Sequence, residues 1–100
     1  MVIEYIRYTI TADRADEFQD AYARAAKVLD EAPECLSYEL SKGVEEPEHY
    51  TLRIEWSSVE DHEQGFRNSP GFAEFFAAVR PFFAQIEEMK HYARTAVASA

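Results

Sequence analysis

The sequence is poor in cysteine, in glycine and in positive charge. Cys35 is its only cysteine, so no internal disulfide can form, and a reducing, cytoplasmic location is expected. The three glycines, Gly43, Gly65 and Gly71, form no G-x-G unit, and no phosphate-binding loop is recognisable. A flavin or nicotinamide therefore has no predicted binding loop, and no cofactor is expected.

Lysine and arginine number 10 against 19 aspartate and glutamate residues, which gives a formal net charge of −9 at pH 7. The basic residues are scattered and form no stripe, which disfavours binding to nucleic acid or to anionic membrane surfaces. The longest apolar runs, such as residues 75–79, are far shorter than the roughly 20 residues of a membrane-spanning helix. The N-terminus has neither the basic start nor the cleavage site of a signal peptide.

The residues that are abundant are apolar and aromatic: 47% of the 100 residues are hydrophobic and 14% are aromatic. This composition predicts a folded chain, and the length predicts a single domain over residues 1–100. A domain of this size buries only about 60–65% of its unfolded surface. Association with a second copy would therefore stabilise it.

Alternation of apolar and polar residues predicts four strands, the second and third of which form a hairpin across an acidic turn. The predicted strands are 2–10, 35–43, 49–56 and 86–97. Leu36, Tyr38 and Leu40 are expected on one face of the hairpin, and His91 is expected to face the helices. The carboxylates of the turn are interpreted as solvated, and no metal site is predicted, because the three histidines lie on separate elements without ligand spacing.

Helices are predicted between the strands. An Asp13 N-cap begins the first helix, which Pro33 ends. A second begins at Ser57 and Ser58 and breaks near residues 68–71, and a third begins at Ser69 with Pro70 in its first turn. The order β-α-β-β-α-α-β predicts an α+β, ferredoxin-like split βαβ fold, with a four-stranded antiparallel sheet and helices on one face.

The opposite face of this sheet is expected to mix charged residues with Ile3, Tyr5 and Tyr92. Such a surface is too apolar for open solvent and too charged for a dry core. A second, identical sheet laid against it would bury the apolar part and pair the charges. A homodimer is therefore predicted.

The stretches "RIEWSS" (53–58) and "FRNSPGFAEFFAAVRPF" (66–82) carry a family resemblance. With them the sequence resembles the antibiotic biosynthesis monooxygenase (ABM) domain family of dimeric α+β barrels, over nearly the whole chain. The resemblance implies a pocket between the helices and the sheet for a small hydrophobic or aromatic molecule. Its implied lining is Tyr8, Tyr22, Tyr38, Trp56, His62, Phe66, Phe72, Phe76 and His91.

The resemblance implies a cofactor-independent monooxygenase that acts on a small aromatic or quinol-type molecule. Trp56 and Tyr8 are the candidates for positioning the substrate, and His62 is the candidate for proton transfer. Each also has a structural interpretation, as core aromatics or a surface histidine. The alternative function is a dimeric module that binds a small ligand or a partner protein without catalysis.

Haem degradation, known in another branch of this family, is disfavoured. Matching the chain to that branch places Tyr8, Phe66 and Phe76 at its asparagine, tryptophan and histidine positions. Phenylalanine cannot ligate iron, so the axial ligand is missing. Many other members carry a histidine where this chain has Phe66, and His62 lies one helical turn earlier on the same face.

Overall fold

A four-stranded antiparallel sheet is the centre of the fold. The structure, a computed structural model, describes residues 1–99. The strands are β1, Val2–Thr9; β2, Cys35–Lys42; β3, His49–Trp56; and β4, Ile86–Ala93. Their order is β2-β3-β1-β4, with every neighbouring pair antiparallel. The predicted ferredoxin-like arrangement is confirmed, and the sheet of one chain is open rather than closed into a barrel.

Two longer helices cover one face of the sheet. Helix α1, Ala15–Glu31, follows β1, and helix α2, Pro70–Val79, lies in the connection between β3 and β4. Gly71 lets α2 approach α1 closely, since a Cβ at this position would lie 2.9 Å from a Val28 methyl carbon. Short helical segments complete the connections at residues 12–14, 61–65, 66–68 and 80–85.

Phe18 marks the centre of the packing between α1 and the sheet. Its side chain is fully buried, and its ring centroid lies 4.8–5.1 Å from those of Tyr8, Tyr22, Tyr50 and Phe82. Aromatic pairs at such separations add stabilisation beyond their buried area. Phe18 therefore joins α1 to β1, β3 and the segment before β4.

Two register shifts decide which side chains of the edge strands face the helices. In β4, Arg7 pairs with Glu88 but Tyr8 pairs with Ile86, so that Glu87 is the extra residue of a bulge. Ile86 and His91 therefore both lie on the helix-facing side. In β2 a second shift lies between Cys35 and Ser37.

Several predicted details are wrong. β4 ends at Ala93 rather than at residue 97. Asp13 does not cap α1, because it lies in a preceding 3-10 turn and the helix begins at Ala15. Leu36 does not share a face with Tyr38 and Leu40, because the bulge in β2 leaves it 54% exposed.

The sheet face away from the helices carries charged and aromatic side chains. Arg7 lies 3.5 Å from Glu88, and the Tyr5 ring packs edge-on against Tyr92 with centroids 5.3 Å apart. Ile3 is half-buried and Tyr92 is 40% exposed. The homodimer predicted on this face stays a prediction. Within residues 1–99, no helix has the length and apolar character needed to cross a membrane.

Candidate functional site

A cavity of about 250 Å³ lies between the sheet and the segment that connects β3 to β4. Most of its lining side chains are aromatic or aliphatic, and a few polar side chains lie among them. The apolar lining residues are Ile6, Ile54, Phe66, Phe72, Phe75, Phe76, Val79, Phe83, Ile86 and Met89. The polar-tipped ones are Glu4, Tyr8, Tyr22, Trp56, His62 and Arg67. Such a lining suits a small apolar or aromatic ligand that carries a few polar groups.

A buried carboxylate stands in the wall of this cavity. Glu4 lies on β1 facing the helices and is only 2% exposed. The Trp56 indole Nε1–H donates a hydrogen bond to Glu4 Oε1 at 3.0 Å. Burial raises the pKa of Glu4, although the Trp56 hydrogen bond and the positive charges of His91 and Arg67 oppose this rise. Glu4 is thus held in a fixed orientation by a donor from the neighbouring strand.

His62 is packed against the same tryptophan. Its ring stacks on Trp56 with centroids 4.2 Å apart and an angle of 8° between the planes. His62 Nδ1 lies 2.7 Å from His91 Nε2, so one of these two nitrogens donates a hydrogen bond to the other. His62 Nε2 lies 3.7 Å from Glu4 Oε1. Both ring nitrogens of His62 therefore face a chemically active partner.

The protonation state of His62 follows from its surroundings. It is 4% exposed, and burial, followed by the charges of Arg67 and His91, lowers the pKa of His62 to about 4. The ring is neutral near pH 7. Its contact with Glu4 is therefore not an ion pair, and at 3.7 Å it is also too long for a direct hydrogen bond.

Local structure explains why His62 points inward. Ser58 Oγ accepts a hydrogen bond from the Asp61 backbone N–H at 2.9 Å, as expected of an N-cap. The following residues, Asp61–Gly65, form a π-helical turn. Such wide turns are often found at functional sites because they re-aim one side chain. Here the turn lays His62 over Trp56 at the cavity wall.

Tyr8 and Tyr22 form a second polar pair in the lining. Their hydroxyl groups are hydrogen-bonded to one another inside the core. Burial raises the pKa of Tyr8 to about 12 and also raises the pKa of Tyr22. Both phenols are therefore neutral, and each already has a partner within the protein.

The sequence-predicted site residues are mostly brought together. Tyr8, Tyr22, Trp56, His62, Phe66, Phe72 and Phe76 all line the cavity. His91 stands behind His62 and contacts it rather than lining the cavity. Tyr38 is placed elsewhere: its hydroxyl donates to Asp30 of α1 at 2.6 Å. The expectation that Tyr38 lines the pocket is wrong, because β2 is the edge strand farthest from β4.

Sequence reasoning missed two polar residues of the cavity, Glu4 and Arg67. A signal for Glu4 was available, since it interrupts the apolar series Val2, Ile6 and Tyr8 on one face of β1. A single acidic residue within an apolar alternation indicates either a partner or a function for the buried charge. Arg67 is exposed at the cavity and gave no comparable signal.

The expectation of no metal site rested on the separation of the three histidines along the chain. Strand pairing removes that separation for two of them, because His91 is the register partner of Glu4. Glu4, His62 and His91 can each offer one ligand atom such that all three atoms lie within 4.8 Å of one another. The chemistry of this donor set is that of a transition-metal site.

Comparison with known proteins assigns the chain to one family. The family model of the antibiotic biosynthesis monooxygenases matches residues 1–78. The uncharacterised protein YczJ of Bacillus subtilis (strain 168) is 33% identical over 92 residues, which cover 92% of this chain and 97% of YczJ.

Solved structures agree with this match. The chain is similar to a candidate antibiotic biosynthesis monooxygenase from Bordetella bronchiseptica, with a TM-score of 0.80 and 26% identity over 94% of this chain and 96% of that one. It is also similar in fold to a mutant of SnoaB, a cofactor-independent oxygenase from Streptomyces nogalater. That TM-score is 0.71, with 19% identity over 98% of this chain and 94% of SnoaB.

Proposed function

Since the chain belongs to the antibiotic biosynthesis monooxygenase family, we propose that it is a cofactor-independent monooxygenase acting on a small, electron-rich aromatic molecule of the phenol or quinol type. The observation that carries the proposal is the cavity itself. Its walls are aromatic, and a buried acid and a histidine stand together in its lining. A planar ring fits the walls, and its hydroxyl group finds the acid and the histidine.

In the proposed reaction the substrate supplies the electrons. Glu4 accepts the hydroxyl proton of the substrate, and the resulting aryloxide passes an electron to O2. One oxygen atom then enters the ring and the other leaves as water, so that a hydroquinone and O2 give a hydroxyquinone and water. All four electrons that O2 takes up come from the substrate, which loses two when the hydroquinone becomes a quinone and two at the carbon that is hydroxylated.

Each polar residue has a role in this scheme that its contacts support. The Trp56 N–H keeps the Glu4 carboxylate turned toward the cavity. His62, hydrogen-bonded to the half-buried His91, offers a path for the proton toward the surface. Tyr8 and Tyr22 border the ring of the substrate, and Arg67 supplies positive charge near the developing aryloxide.

Oxygen isotope incorporation tests the reaction. The protein, treated with a chelator, is incubated with hydroquinones and dihydroxynaphthalenes under 18O2, and oxygen uptake is corrected for autoxidation without protein. We expect one 18O atom in the product and one in water. His62→Gln should slow uptake, whereas His49→Gln, which changes an exposed histidine at the start of β3, should not. Uptake no faster than autoxidation for every compound would contradict the proposal.

Ligand binding without catalysis is the second candidate, and one observation favours it. The polar groups at the cavity already bond to one another: Trp56 with Glu4, Tyr8 with Tyr22, and His62 with His91. Trp56 is the only tryptophan, so quenching of its fluorescence reports binding in the cavity. Saturable quenching together with no 18O in the product would support this candidate over the oxygenase.

We further propose that two copies associate through the sheet face away from the helices. The edge-on pair of Tyr5 and Tyr92 and the half-buried Ile3 support this, because an apolar centre among charges is typical of a protein interface. Sedimentation at micromolar concentration should give twice the mass of the chain, 11.5 kDa. Tyr5→Glu should shift the distribution toward single chains, whereas Tyr38→Glu, on the other face, should not.

A further inference from the structure

Glu4, His62 and His91 bring three potential metal ligands together in the interior of the protein. We propose that this cluster binds one divalent transition metal ion through two imidazole nitrogens and one carboxylate oxygen, with an open coordination position toward the cavity. Two imidazoles and a carboxylate suit Zn²⁺ and Fe²⁺ alike. The inference goes beyond the proposed function and does not rest on it, because the oxygenase scheme describes Glu4 and His62 in the metal-free protein, whereas this inference concerns metal binding alone.

The distances are close to those that a metal requires. A four-coordinate ion with bonds of about 2.0–2.1 Å holds its ligand atoms about 3.4 Å apart. The three ligand atoms now lie within 4.8 Å of one another, and His62 Nδ1 and His91 Nε2 are 2.7 Å apart. Side-chain rotations that move the ligand atoms by about one ångström would bring these atoms to the required spacing.

Charge supplies the second argument. Glu4 is 2% exposed, and its carboxylate lies against the Trp56 N–H and within reach of the two imidazoles. A buried carboxylate is costly unless it is paired or coordinates a metal. A divalent cation between Glu4 and the two histidines would compensate this charge.

The surroundings of the cluster resemble the supporting shell of a metal centre. The Trp56 N–H donates to Glu4 Oε1 at 3.0 Å, which fixes the orientation of the carboxylate. The same indole stacks on His62 and restricts rotation of the imidazole. His91 is half-buried, so an ion can enter from its side. Because Glu4 and His62 also line the cavity, a water or a small ligand can complete the coordination.

The β2–β3 turn offers a matched control. His49 Nδ1 lies 2.7 Å from Glu46 Oε2, but the two side chains are 57% and 68% exposed. This exposed pair contains the same residue types without burial or a third ligand. A metal that merely prefers histidine beside glutamate would bind there as well.

The experiment measures binding of Zn²⁺ to tag-free, chelator-treated protein by calorimetry, with Co²⁺ as a spectroscopic probe and Fe²⁺ tested under argon. We expect one equivalent per chain and a visible Co²⁺ spectrum of low coordination number. His91→Gln should weaken binding at least about 100-fold, and His49→Gln should leave it unchanged. Equal binding by wild type and His91→Gln, or loss of binding in His49→Gln, would overturn the proposal.

A measurement on wild type alone keeps the test valid if a variant fails to fold. On addition of Zn²⁺, the imidazole NMR signals of His62 and His91 should change and those of His49 should not. The absence of saturable change at His62 and His91 would also overturn the inference. All these readouts use protein without aromatic substrate, so their outcome is separate from the 18O2 test of turnover.

Discussion

The chain contains two pairs of histidine and glutamate that differ almost only in their surroundings. Glu46 lies in the β2–β3 turn and His49 is the first residue of β3, with 2.7 Å between nitrogen and oxygen, and more than half of each side chain is exposed. His62 and Glu4 are 3.7 Å apart, and their side chains are 5% and 3% exposed. The closer pair is the weaker functional candidate, because water screens it and nothing fixes its geometry.

Burial is what gives the second pair its chemical interest. Desolvation lowers the pKa of His62 and raises the pKa of Glu4, so both shift in the direction that favours the neutral form. Trp56 packs on one member and donates to the other. Perturbed groups of this kind, placed beside a cavity, are typical of functional sites. The comparison shows that contact distance alone does not identify a site.

Removing Trp56 should cause the largest change in stability. The side chain is 1% exposed, and Trp56→Ala should lower the free energy of unfolding by about 3–5 kcal/mol. Trp56→Phe, which keeps an aromatic ring but leaves Glu4 without its donor, should cost about 1–3 kcal/mol. Urea unfolding followed by circular dichroism measures both. Val44→Ala in the exposed turn is the control, and an equal loss in that variant would contradict the comparison.

Neutralising the buried acid should have the largest effect on turnover. Glu4→Gln keeps the shape of the side chain but removes the proton acceptor, so kcat/KM for a quinol substrate should fall by about 100-fold to 10,000-fold. Glu46→Gln should leave the rate unchanged. Oxygen uptake at a series of substrate concentrations provides the values. If both variants were equally active, Glu4 would have no part in proton transfer.

The histidine rings offer a direct test of the effect of burial. Because burial lowers the pKa of His62 to about 4, its ring in metal-free protein should stay neutral at pH 6 and even at pH 5. An unperturbed histidine has a pKa of about 6.5 and would be largely cationic at pH 5. NMR titration of the assigned ring signals follows this. A midpoint near 6.5 for His62 would show that water reaches the cluster.

The smallest effect is expected for the exposed pair. His49→Gln removes a side chain that is mostly in water, and the free energy of unfolding should change by less than about 0.5 kcal/mol. The hairpin itself does not depend on this pair, because backbone hydrogen bonds such as Gly43 N–H to His49 O at 2.7 Å close the turn. Urea unfolding at low and high salt checks this, and a large loss would mean that the exposed pair also stabilises the fold.

The fold could be predicted from local patterns because those patterns cause it. Alternation in "VIEYIRYT" and "HYTLRIEW" places one apolar face against the helices, and Pro70 begins α2 as its position after Ser69 predicts. The end of β4 was misplaced because alternation continues beyond the last residue that pairs with β1, at Ala93. Bulges were missed because no local signal marks a register shift.

The site could be predicted only in part, for a related reason. The aromatic lining, including Phe66, Phe72 and Phe76, was predicted through the family resemblance, which implies a pocket between the helices and the sheet. The meeting of Glu4 with His91 depends on the register between β1 and β4, which lie about 80 residues apart in the chain. Periodicity gives the face of each strand but not which residues stand opposite. The cluster therefore became visible only in three dimensions.

The bulge at Glu87 affects how the sequences of relatives can change while keeping the site. Without an extra residue at this point, the alternation of β4 would set Ile86 and His91 on opposite sides, since five positions separate them. The bulge uncouples the two ends of the strand. A relative that lost one residue here would keep only one of the two side chains, Ile86 or His91, on the helix-facing side. Deletion of a single codon would therefore remove part of the proposed site without removing a strand from the sheet.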